Sequence, residues 1–582
     1  MFRRLFRWMF RAVIIGVVLI AIVAISEYIS HRVQPNSVLE VDLDGPVVER
    51  GGGGSVLGLL SKDQTALNVL RNAIDQGAKD PKIVGLEIKV IDPEMELAQA
   101  QEIVALIKSF KSHGKWTTAY LETAGESGAG NLPYIVASAA DEVSLMPQGD
   151  LNLMGVQLRE LFTRGTLDWL GITPNFASAG KYKSAANMFT NKDYTPAQRE
   201  EDEGLAGSLF DQIVAAIGDE RKLSPDTIKG LIDQAPLNAD QGLKAKLVDR
   251  LEYEDEFDER VKNQGGSEHK IVDYTNYARA SLFSGLGGGD EIAVIYGEGD
   301  IDRGSEGFNP FSTPDSTTMT SDDMTEAFKS AREDDDVRAV ILRVDSPGGS
   351  MLASELIGRE VELTAKKKPV VVSMSGYAAS GGYLISIPAA KIVAEPGTIT
   401  GSIGVLGGKF NVSPAVQKIY ANTDAVSLGA NVGMFDMWSD FTPAQAQQFQ
   451  NDIDRNYQYF LELVAAGRHM TVEQADVVAQ GRVWTGEQAL KFKLVDSLGG
   501  MDEAMATARG LARLTPDQPV GIVELPEQPG LLQTIASGKM VSSMIGQRPS
   551  TRIVEPIIEI IRAALSGHAI FSAAYCPVVP ML

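Results

Sequence analysis

The 582-residue chain is 44% hydrophobic and 22% charged, with a net charge of −23. That is enough apolar material for large cores in two to four domains, and the acidic balance argues against nucleic acid as a partner. The single cysteine, Cys576, excludes an intramolecular disulfide, and the absence of a CxxC pair or an HExxH pattern leaves no motif for a metal, so the expected chemistry needs no cofactor.

The N-terminus carries Arg3, Arg4, Arg7 and Arg11, followed by an uncharged apolar run over 12–25. A bilayer span needs about 20 apolar residues, so this run is short, and Ala24-Ile25-Ser26 offers small residues for signal cleavage. On either reading, anchor over 1–30 or removed leader, the arginines stay cytoplasmic and the remainder is exported. In a double-membrane bacterium that destination is the periplasm.

From 37 to 280 the pattern alternates strand-like runs (84–90, 116–121, 142–145) with helical stretches, including a long amphipathic one near 198–218. Glycines 51–54 read as a loop, and 281–290, with four glycines, reads as a linker. A second α/β region over 290–513 has strand-like runs at 292–296, 337–344, 370–374 and 391–394, a glycine-containing loop over 304–321, and a long helix near 445–466. Residues 514–582 form an extension. Its apolar part from 553 onward is broken by Pro556, Gly567, Pro577 and Pro580, and reads as an intramolecular C-terminal helix, or else as a surface that packs on a neighbouring subunit or grazes the membrane, rather than as a membrane span.

The two regions are copies. Thr195-Pro196-Ala197-Gln198 recurs as Thr442-Pro443-Ala444-Gln445, and Leu243-Lys-Ala-Lys-Leu247-Val248-Asp249 recurs as Leu490-Lys-Phe-Lys-Leu494-Val495-Asp496, both at an offset of 247. Tyr134 to Pro147 aligns with Tyr383 to Pro396 at 249. The predicted architecture is therefore α/β in two tandem copies.

Chemistry concentrates in the second copy. Two glycine pairs, Gly348-Gly349 and Gly381-Gly382, each follow a predicted parallel strand, and Ser380 precedes the second pair. Glycine lets main-chain N–H groups approach a carbonyl closely, as an oxyanion site requires, which makes Ser380 the candidate nucleophile and Gly348, Gly349 and Gly381 the candidate supports. None of the five histidines lies in a pattern that suggests pairing with Ser380. The alternative base is a buried lysine. Lowering its pKa from about 10.4 to near 7 costs roughly 4–5 kcal/mol, so it must be dry and away from carboxylates. At the 249 offset Ser380 corresponds to Asn131, so the first copy lacks the nucleophile. That copy instead carries Gly180-Lys181-Tyr182-Lys183, which the second lacks, and no Asp or Glu occurs over 175–190. Each copy has what the other is missing, and the base is Lys183 or Lys181.

Tyr182-Lys183-Ser184-Ala185, Ala378-Ala379-Ser380-Gly381-Gly382-Tyr383 and Asp345-Ser-Pro-Gly-Gly349 together resemble the motifs of the signal peptide peptidase A family, in its long two-repeat bacterial type. The resemblance implies the fold shared by Clp protease and the crotonases, Lys183 as general base and Ser380 as nucleophile. Thr400-Gly401-Ser402 resembles the segment bordering that site and nominates Ser402 to orient the amine. It also implies peptide substrates derived from signal peptides, an uncleaved inner-membrane anchor and a homotetramer. A crotonase-like acyl-CoA enzyme and an inactive anchored scaffold are the competing readings.

Overall fold

The computed structural model describes residues 33–51, 64–126, 128–282, 289–305, 318–515, 518–526 and 580–581. The anchor segment, Cys576, His31, His568 and most of the two glycine-containing loops, the linker and the C-terminal extension lie outside them. Among the described residues no helix is long and apolar enough to cross a membrane.

Two mainly parallel sheets have matching strand orders. The first runs Arg250–Leu251, Glu142–Leu145, Trp116–Leu121, Ile83–Glu94, Ser37–Val48, Lys270–Asp273, all parallel. In the second, Glu291–Glu298, Val337–Ser346, Val370–Ala379, Lys391–Ala394 and Ser497–Leu498 repeat the series, and Gly521–Leu525 takes the place of Lys270–Asp273. This last strand comes from the stretch read as extension, so the second sheet closes with residues beyond 513. Continuous apolar runs such as Val340-Ile341-Leu342 are what strands buried on both faces require.

The repeated sequences mark equivalent structural joints. Thr195 and Thr442 cap the helices Pro196–Arg221 and Pro443–Gly467 by accepting from the N–H of Gln198 and Gln445, with proline in the first turn where a missing N–H costs nothing. The Tyr134 hydroxyl donates to Leu247 O (2.6 Å) and that of Tyr383 to Leu494 O (2.8 Å). Arg221 pairs with Asp249, and Arg468 with Asp496. Lys246 and Lys493 both adopt positive φ, 60° and 61°.

The copies pack as one body. Ala379, Ile399 and Val483 of the second lie in the apolar core of the first. An antiparallel ladder joins Thr173–Ala179 of the first copy to Val405–Asn411 of the second, from Val405 opposite Ala179 to Asn411 opposite Thr173. Arg343, fully buried, donates to Glu49 (2.6 Å) and Glu102 (2.6 Å) of the first copy and to Ser373 (2.8 Å) and Ser375 (3.0 Å) beside it.

Burial pushes the carboxyls of Glu87, Glu201, Glu298 and Glu395 each up to about 8. The folded state therefore holds protons that the unfolded chain releases near 4.5, and stability falls as pH rises through the window from about 4.5 to about 8. The melting temperature is expected to be higher at pH 5.5 than at pH 8.5; a scan that is flat or rises over that range contradicts these assignments.

Candidate active site

The strand Val370–Ala379 ends at Ser380, which caps the short helix Gly381–Ser386 with φ 53° and ψ −108°. Positive φ is costly for a residue with a Cβ and persists only where the surroundings impose it. Here the imposing contacts are Ser380 N–H to Gly401 O (2.8 Å) and Leu384 N–H to Ser380 O (2.9 Å). Gly381 must lack a side chain: a Cβ would lie 2.6 Å from Ser354 Oγ and 3.2 Å from Gly349 N. That crowding brings the first glycine turn against the nucleophile turn. The first turn is itself braced by Ile301, whose N–H donates to Gly348 O (2.8 Å) and whose carbonyl accepts from Ser350 N–H (2.7 Å). The Gly348 N–H is directed at Ser346 Oγ (3.2 Å), within its own turn.

Lys183 arrives from the first copy. The ladder ends at Ala179, Gly180 turns at φ +110°, and the chain delivers Lys183 beneath the second copy. Its Nζ lies 2.9 Å from Ser380 Oγ, 3.0 Å from Ser402 O and 3.0 Å from Ser402 Oγ. All three residues are buried, with Lys183 only 5% exposed. Ser402, itself at φ 50°, follows the strand Ile399–Gly401 that borders the nucleophile strand.

The two candidate lysines differ in their surroundings. Lys181 is 57% exposed in its side chain and pairs with Glu200 (3.3 Å), and hydrogen bonds to Tyr182 and Glu200 hold its amine above the usual lysine value, opposite to what a base needs. The described histidines lie elsewhere: His113 caps a helix, His269 bonds the carbonyls of Asn36 and Gln264, and His469 follows the helix Pro443–Gly467 in a turn. In the first copy Asn131 occupies the place of Ser380 and donates to Gly155 O (2.8 Å).

Two parts of the site had no signal in the sequence. Residues 480–483 wedge between Lys183 and Ser402, and Glu201, from the helix Pro196–Arg221, accepts from Val483 N–H (2.6 Å). The absence of acids over 175–190 is real, yet an acid reaches this region from a helix that begins beyond it. Closer to solvent, Glu200 ties together Lys181, the Tyr182 hydroxyl (2.8 Å) and Arg482 (3.0 Å), and Arg482 stacks between the rings of Tyr182 and Trp484.

The arrangement is a buried hydroxyl within hydrogen-bond reach of a buried amine, with main-chain N–H groups on a glycine turn nearby, which suits acyl transfer by a serine nucleophile. Comparison with known proteins agrees. The chain is 32% identical to the chloroplastic serine protease SPPA of Arabidopsis thaliana over 89% of its length and 75% of the relative's. It is 34% identical to Protease 4 of Salmonella typhi over 82% and 78%, and 32% identical to Protease 4 of Haemophilus influenzae over 77% and 73%. A solved ClpP1 mutant from Listeria monocytogenes aligns with 36% of this chain and 94% of its own at 14% identity and a TM-score of 0.24. The model of peptidase family S49 matches residues 109–267 and 362–515, one region in each copy, and the chain belongs to that family.

Proposed function

We propose that this protein is a membrane-anchored serine endopeptidase that degrades signal-peptide remnants through a Ser380–Lys183 dyad shared between its two copies. The observation that carries the reading is the 2.9 Å approach of Lys183 Nζ to Ser380 Oγ inside a buried interface. A neutral amine has two N–H donors and one lone pair. Ser402 O and Oγ suit the donors, and the lone pair is left to take the Ser380 proton.

Ser380 Oγ attacks the scissile carbonyl as Lys183 accepts its proton. The oxyanion forms beside the Gly349 and Gly381 main chain, where fixed N–H dipoles act without reorganising. Lys183 then protonates the departing amine, leaving an acyl-enzyme at Ser380. Water, deprotonated by the same lysine, releases the second product.

The N-terminal segment would hold this body at the periplasmic face of the inner membrane, where cleaved signal peptides remain. Assembly as a homotetramer is supported by a run that finds no ladder partner among the described residues. Residues 422–428, at the 249 offset from the lysine strand, are exposed, with Val426 99% and Leu428 90% accessible. A neighbouring copy could complete there the ladder that Thr173–Ala179 makes within the chain.

The test reconstitutes the full chain in phospholipid vesicles with a synthetic signal peptide and follows fragments by mass spectrometry. The expected result is internal cleavage that disappears in Ser380→Ala. An intact signal peptide with the parent protein, under conditions where casein is cut, would remove the substrate assignment.

A further inference from the structure

Resting on the dyad reading, the question becomes what holds Lys183 in place across the interface. A short segment of the second copy touches both it and Ser402. Gln480 O accepts from Tyr182 N–H (2.7 Å), and Gly481 (φ +78°) lies so close beneath Lys183 that a Cβ there would come 2.5–2.7 Å from Lys183 N, Cα and Cβ. On the other side, Gly481 N–H donates to Ile403 O (2.7 Å) and Arg482 O accepts from Ser402 N–H (2.7 Å). Residues 480–482 are a bracket with the base on one face and its orienting serine on the other. The next residue, Val483, begins the strand Val483–Thr485, and its N–H is the one that Glu201 accepts at 2.6 Å.

We propose that Glu201 is a positioning residue for Lys183, fixing the 480–482 bracket from the long helix of the first copy. The repeat supplies an internal control. At the 247 offset Glu201 becomes Gln448 and Val483 becomes Pro236, which has no N–H to donate. Gln448 instead accepts from Asn431 Nδ2 (3.2 Å). The bond thus exists only where the chain delivers a lysine.

The chemistry of the acid matters as well as its geometry. Glu201 is 2% exposed, and burial pushes its carboxyl up to about 8, the Val483 N–H, Arg482 and Lys183 opposing this and Asp202 adding to it. Glu200 and Lys181 face the same region from the solvent side, paired with each other. At neutral pH Glu201 is a hydrogen-bond acceptor without charge. When it ionises above pH 8, a negative charge near Lys183 favours the ammonium form and opposes its use as a base.

The test compares parent, Glu201→Gln and Glu201→Ala in steady-state peptide hydrolysis from pH 6 to 10, with the rate of fluorophosphonate labelling at Ser380 and the melting temperature recorded for each. Glu201→Gln keeps the acceptor and cannot ionise, so its kcat at pH 7 stays within about twofold of the parent, and its activity goes on rising above pH 8 where the parent's levels off. Glu201→Ala frees the bracket and lowers kcat about 10- to 100-fold with little change in KM. Identical parent and Glu201→Gln profiles above pH 8 overturn the proposal, as does a folded Glu201→Ala with parental kcat. If Lys183→Ala loses labelling while the Glu201 variants behave as parent, only the positioning role fails; if Lys183→Ala labels at the parental rate, the dyad fails and this role with it.

Discussion

Lys183→Ala is expected to lower kcat for peptide hydrolysis by about 10³-fold while leaving KM within a few-fold, since a general base acts in the transition state and contributes little to ground-state binding. The prediction rests on Lys183 Nζ, 2.9 Å from Ser380 Oγ, being the amine in reach of the nucleophile. The paired variant is Lys181→Ala. That side chain is 57% exposed and spends its charge on Glu200, so its loss should change kcat by no more than about threefold. Steady-state kinetics on a fluorogenic peptide separate the two. A Lys181→Ala enzyme as impaired as Lys183→Ala would show that the base has been misassigned.

The second large effect is structural. Arg343→Met is expected to destabilise the fold by about 3–5 kcal/mol, because it strands Glu49 and Glu102 as buried carboxylates with their main counter-charge gone. Arg343 lies on the strand that leads into the Gly348-Gly349 turn, and both acids come from the other copy. Loosening this contact should therefore reduce activity along with stability, although Arg343 touches no catalytic group. Urea midpoints measure the loss. Adding Glu49→Gln to Arg343→Met should recover part of it, since Glu102 keeps Arg71 (3.6 Å) as a counter-charge and Glu49 is then no longer a buried unpaired acid. A single variant with a parental midpoint would show that the buried cluster does not hold the copies together.

Much of this was legible in the chain. Strand runs such as 292–296 and 370–374 fall within Glu291–Glu298 and Val370–Ala379, because parallel strands buried on both faces write themselves as largely apolar runs. The recurrent Thr-Pro-Ala-Gln reads out as a helix cap twice because capping is local chemistry. Ser380 and a lysine at 183 or 181 could be named because each copy lacks one of the two, a signal that needs no knowledge of how the copies dock, whereas the preference for Lys183 came from the family resemblance.

What stayed hidden depends on docking. The positive φ of Ser380 is imposed by Gly401 and by the helix it starts, not by its own residue type. Glu201 looks like any acid in the Glu200-Glu201-Asp202 run of a long helix, and only the arrival of Val483 from the other copy makes it a buried acceptor. Arg343 sits between the apolar Leu342 and Val344, and its partners, Glu49 and Glu102, are more than 200 residues away in the chain.

The central claim is that one half of the chain donates an amine to an alcohol in the other. Fluorophosphonate labelling of the full-length protein, with the modified residue identified by mass spectrometry, tests it most directly. The account predicts one adduct per chain, on Ser380, formed by the parent and by Lys181→Ala and slowed at least about 100-fold in Lys183→Ala. An adduct on another serine, or labelling of Ser380 in Lys183→Ala at the parental rate, would contradict it.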